Sequence, residues 1–143
     1  MDSDTDSDYE YDYEYEYNNC VNSAWREMRS KFEEKTYLKL CIKEPLDTII
    51  SNKNSIVIFD RRDNMYEYSS LPKYYKERYN NYLHIKSIDG KPITLEQVLN
   101  EMMDCNYYSK DNVFQTEYLN HIFLERINPK SRNSNQYELF LGS

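Results

Sequence analysis

From Asp8 to Tyr17 the chain alternates carboxylates with phenols. Asp8, Glu10, Asp12, Glu14 and Glu16 interleave with Tyr9, Tyr11, Tyr13, Tyr15 and Tyr17. In an extended chain this alternation puts the rings on one face and the acids on the other. Such a segment can press its rings into a partner while its carboxylates meet Lys or Arg, and its period suits addition to an open sheet edge. Ser3, Thr5 and Ser7 each have an acid three residues downstream, the pattern acidophilic kinases favour. Phosphates there would deepen an already negative field. Eight carboxylates can also compete for the basic surface of a nucleic-acid-binding protein. A solubilising bristle has the same composition, so these readings stand side by side.

A second stretch mixes bases with rings. Residues 73–82 carry Lys73, Tyr74, Lys76 and Arg78 among further tyrosines. Cations bind phosphates and exposed rings stack on bases, a combination suited to single-stranded nucleic acid. Tyr75, Tyr79 and Tyr82 also fall at helical spacing, however, and would then pack on the core, while Glu77 dilutes the charge.

Other chemistries find less support. Phosphate cradles of the P-loop or dinucleotide kind need several glycines, and the chain has only Gly90 and Gly142. Cys20, Cys41, Cys105, His84 and His121 contain no local pair at metal-ligand spacing, so no metal or other cofactor is expected. The cysteines read as small apolar residues and the two histidines as structural residues of strands. No nucleophile motif surrounds any Ser or Cys. The carboxylate pairs Glu33-Glu34 and Asp60/Asp63 are explained as readily by a solvated surface. A hydrolase assembled from distant residues is the third possibility, after an interaction protein and a nucleic-acid-binding protein.

These residues need a body to position them. The 143 residues suit one domain, expected over 19–143 behind a disordered acidic tail over 1–18. Every even position from Asp2 to Glu16 is acidic. Removing those eight from the 25 acids leaves 17 against 18 bases. The net charge of −7 therefore belongs to the tail, and the body is close to neutral. Three cysteines at scattered spacings do not resemble a disulfide framework, the N-terminus is acidic where a signal peptide is basic, and no apolar run has membrane-spanning length. An intracellular setting is expected, in cytoplasm or nucleus.

Hydrophobic spacing predicts the elements. Val21, Trp25, Met28 and Phe32 place a helix over 20–35. Leu38, Leu40 and Ile42 alternate in a strand over 37–42; 46–51 reads as a helical turn. Residues 55–60 form an apolar β-branched run, with 65–69 returning as its hairpin partner. Leu71-Pro72 opens a further helix. Residues 83–88 read as a strand closed by Asp89-Gly90. Thr94 caps a helix, Gln97 takes the capping-box position, and Ile93 staples onto Val98. Leu95, Val98, Leu99, Met102 and Met103 make one apolar stripe along it. Residues 119–127 and 136–141 form a C-terminal hairpin. The class is α+β, with mainly antiparallel strands and about three helices.

The chain is rich in Asn, Lys, Ile and Tyr, with one Ala and two Gly. With the stretches 82–103 and 121–143, this composition resembles uncharacterised proteins of giant amoebal DNA viruses. The resemblance implies a setting, the cytoplasm of an infected cell or a virion. It implies no activity and assigns no residue a role.

Overall fold

The computed structural model describes residues 22–60, 82–112 and 121–142. The acidic tail, Cys20, the segment 61–81 with the expected helix from Leu71, and 113–120 lie outside the described residues.

The fold is mixed α+β. Helix α1 (Asn22–Lys35) is followed by β1 (Lys39–Leu40), β2 (Ile49–Ser51) and β3 (Ser55–Phe59). After 61–81 come β4 (Tyr82–Lys86), β5 (Ile93–Thr94), α2 (Leu95–Met103) and a 3₁₀ turn at Asn106–Tyr108. The C-terminal hairpin is β6 (Phe123–Pro129) and β7 (Gln136–Gly142). Five strands form one sheet in the order β1-β6-β7-β3-β4, and β2 pairs with β5 in a separate ribbon.

Alternation decides which side chains face inward. Leu38 and Leu40, Ile56 and Ile58, Ile85, Leu124, and Tyr137, Leu139 and Leu141 are all buried. They join Met28 and Phe32 of α1 and Leu95, Val98, Leu99 and Met102 of α2 in one core. The helices thus close one side of the sheet. Buried Tyr108 stacks edge-on against buried Tyr107 at 5.0 Å, and the Tyr137 hydroxyl donates to the Ile50 carbonyl at 2.8 Å. Large rings with a polar end thus supply core volume in a chain that has one alanine.

Capping is half as expected. The Thr94 hydroxyl accepts from the Gln97 N–H at 3.3 Å. The Gln97 side chain does not return to Thr94; it donates to the Lys86 carbonyl at 2.7 Å and ties α2 to the end of β4. Asp89 and Gly90 take positive φ values of 54° and 71° in the turn after β4, which glycine adopts freely and Asp tolerates. At the other edge, the Glu33 carboxylate accepts the outward N–H of Leu40 at 2.9 Å, so α1 covers part of the β1 edge.

The structure corrects some of the expectations. The hairpin partner of β3 is β4, in register from Ser55↔Lys86 to Phe59↔Tyr82, and its other flank is occupied by β7. The return expected at 65–69 lies outside the described residues. Pairing is mainly antiparallel, as expected, in β2–β5, β3–β4 and β6–β7; β1–β6 and β3–β7 are parallel, because the C-terminal hairpin inserts between β1 and β3. Residues 46–51 form a turn, with Thr48 N–H donating to the Pro45 carbonyl at 3.0 Å, and then strand β2. Ser51 is buried and Ile49 exposed, the reverse of what their polarity suggests. The third helix is not found among the described residues, which hold two α-helices and the 3₁₀ turn.

Candidate functional site: the outer face of the sheet

Inward residues on alternate positions leave the others on the opposite face. That face carries one aromatic ring from each of four adjacent strands: Phe123 on β6, Phe140 on β7, Phe59 on β3 and Tyr82 on β4. Phe140 is 45% and Tyr82 47% exposed, against 0–9% for the inward residues of the same strands that reach the core. The register sets their layout. Phe123 lies opposite Gly142, two residues from Phe140; Phe59 lies opposite Glu138, two residues from Phe140 on the other side; and Tyr82 lies opposite Phe59. The rings therefore form a diagonal across the sheet. Phe59 and Tyr82 are in contact at 6.1 Å between centroids, tilted by 44°. A strand spacing of about 4.8 Å and a two-residue rise of about 6.7 Å separate the other steps by about 8 Å.

Cations sit beside these rings. The Arg126 guanidinium lies 4.5 Å from the centre of Phe140, and the Lys130 ammonium 5.1 Å from that of Phe59. Such contacts gain from the ring quadrupole. Lys39, opposite Phe123, and Lys86, opposite Ser55, extend the positive set along both sides. Two carboxylates share the face. Glu138 pairs with Lys130 at 3.8 Å, and Glu125 sits in the bulge of β6 beside Gly142.

The candidates named from sequence are distributed differently. The tail residues Asp8–Tyr17, the possible phosphorylation sites Ser3, Thr5 and Ser7, and Lys73, Tyr74, Lys76 and Arg78 all lie outside the described residues. Tyr82, expected to pack on the core from a helix, is instead an exposed strand residue. His84 is also exposed, two residues further along β4, and His121 is half-buried just before β6. Cys41 and Cys105 are free thiols on different elements. Burial pushes both thiols up, with Arg29 opposing this at Cys41, so neither favours the reactive thiolate at neutral pH. Glu33 serves the β1 edge, Asp60 is buried at the end of β3, and Asp63 lies outside the described residues. Among the described residues no three His, Cys, Asp or Glu gather as a metal set, and no helix is long and apolar enough to cross a membrane.

A pocket of about 260 Å³ lies off the open side of β6, between Ile127 and Pro129 and the turn leading into β2. Its apolar walls include Ile42, Ile50 and Leu95. Lys130 N–H donates to the Gln136 carbonyl, so the parity of the strand turns Pro129 toward this pocket. Proline has no N–H to offer there, which blunts the edge against another strand.

No family model, curated protein or solved structure matches the chain. What the site can do therefore rests on its own geometry. Sequence reasoning passed over Phe59, Phe123 and Phe140, each a single ring in an aliphatic run, and assigned Tyr82 to a helix face with Tyr75 and Tyr79. The signal was available: once Ile56 and Ile58, Leu83 and Ile85, Leu124, and Leu139 and Leu141 are assigned inward, parity turns Phe59, Tyr82, Phe123 and Phe140 outward.

Proposed function

We propose that the protein is a non-enzymatic interaction protein whose recognition surface is the outer face of its five-stranded sheet. The observation that carries this reading is the diagonal of four outward rings flanked by Arg126 and Lys130. Aromatic side chains on a rigid sheet offer large contact area at low entropic cost, and rings with arginine are enriched where proteins bind partners. Exposing such rings in water without a partner is unfavourable, so a binding role accounts for their placement.

The acidic tail supports a second contact in the same class of function. Its five tyrosines and alternating carboxylates suit a basic protein surface. The two contacts separate experimentally. Full-length protein is used as bait in an extract of its native cell, beside three full-length variants. One carries Tyr82→Ser and Phe140→Ser, one carries amides in place of the eight tail carboxylates, and a control carries Lys31→Ala on the exposed side of α1. Bound macromolecules are expected to be lost from the outer-face variant and kept by the control. Loss from the tail variant alone would move recognition to the tail, and capture unaffected by the outer-face variant would refute the sheet-face reading.

A further inference from the structure

Resting on the sheet-face reading above, we infer that the ligand of this face is single-stranded nucleic acid, whose bases stack along the Phe123–Phe140–Phe59–Tyr82 diagonal. Three features of the face fit that ligand together. The rings come one per strand: Phe123 and Phe140 stand as separate platforms, and Phe59 and Tyr82 form a tilted pair. Steps of about 8 Å from Phe123 to Phe140 and from Phe140 to Phe59 leave room for a base between them, while neighbouring strands hold the rings in fixed order. A single strand can offer its bases to rings on an open sheet face, whereas the bases of a duplex are stacked inside and cannot reach them.

The charge on the face matches a phosphate backbone. Lys39, Lys86, Arg126 and Lys130 stand against Glu125 and Glu138, and one of those acids is already paired with Lys130. Arg126 and Lys130 lie over Phe140 and Phe59. A base arriving on either ring takes the place of the cation, and the displaced long side chain can turn to the adjacent phosphate or stack on the base itself. The platform is therefore not blocked by its cations. They keep the rings in a polar setting when free and become phosphate contacts when bound. His84, exposed on β4 two residues from Tyr82, extends the same surface by one further planar ring.

The test uses the full chain and fluorescein-labelled oligonucleotides of about twelve nucleotides, within the ~4–16 that single-strand sites span. Single-stranded RNA, single-stranded DNA and a duplex of the same length are titrated by anisotropy over a range of salt. Both single strands are expected to bind in preference to the duplex. Phe140→Ala and Tyr82→Ala are each expected to weaken single-strand binding by about 5- to 150-fold, the range for losing one stacked base. Arg126→Gln is expected to flatten the log–log salt dependence by about 0.7, the share of one phosphate contact. Both rings are exposed, and a melting curve on each variant confirms that folding is kept. Equal affinity for duplex and single strand, single-strand binding indifferent to both ring substitutions, or no binding at low salt would each overturn the inference. If oligonucleotides fail to bind while the outer-face variant still loses a protein from native extract, the ligand class is wrong and the sheet-face reading stands. If neither depends on these rings, both fall.

Discussion

Replacing Leu99 by alanine is expected to lower the free energy of unfolding by about 2–5 kcal/mol, the range for truncating a fully buried leucine. Leu99 is 0% exposed and sits mid-way along α2, with Val98 and Met102 at 0% and Leu95 at 1% beside it on the stripe. The loss combines the transfer of its side chain out of water with the cavity left among neighbours that relax only in part. Met102 is flexible enough to fill some of that space, which argues for the lower half of the range. The outer face makes the contrast: Phe140→Ala, at a site 45% exposed, should change stability by about 0.5 kcal/mol or less. Urea unfolding checks both. A midpoint for Leu99→Ala equal to that of the unchanged protein, with equal slope, would mean that the stripe of α2 does not face the core.

The second large effect is electrostatic. Eight carboxylates lie in the first sixteen residues, and they alone turn a nearly neutral body into a chain of net charge −7. If phosphates are the ligand of the sheet face, those charges repel them. Converting the eight acids to amides in the full-length chain is expected to strengthen single-strand binding on the order of tenfold at low ionic strength, within the range that local fields contribute to association. The gain should shrink between about 0.01 M and 0.15 M salt, as the screening length falls from about 30 Å to about 8 Å. Anisotropy titrations of the two chains at several salt concentrations measure it. A gain that persists undiminished at high salt would point to a non-electrostatic cause. Weaker binding by the amide chain would show that the carboxylates assist the ligand.

Local pattern carried the elements further than the topology. The stripe of α2 and the Thr94 cap were legible because helix periodicity and capping are both short-range properties. Leu38, Leu40 and Ile42 were legible as one inward row, although only Lys39–Leu40 pairs as a strand, because burial and not pairing sets the alternation. The partner of β3 was not. A hairpin with 65–69 is the local solution, but β4 and β7 flank β3, and the choice among these partners lies in the shared core that no local window contains. The misplacement of Tyr82 has the same origin. Its helical spacing from Tyr75 and Tyr79 competed with strand alternation to Leu83 and Ile85, and pairing with Phe59 decided the matter. The candidate site was legible only in this second-order sense. Its rings come from four strands, and their meeting on one face follows from a strand order that sequence spacing does not encode.

Whether the outer face of the sheet is the recognition surface can be read directly from amide and side-chain chemical shifts. Isotope-labelled full-length protein is titrated with a short single-stranded oligonucleotide, and the perturbed residues are mapped. The largest shifts are expected at Phe59, Tyr82, His84, Phe123, Arg126 and Phe140, with the inward positions Ile58, Ile85 and Leu139 moving less and the exposed side of α1 unchanged. Shifts confined to the bases of 73–78, to α1 and α2, or to the pocket beside Pro129 would contradict the sheet-face account.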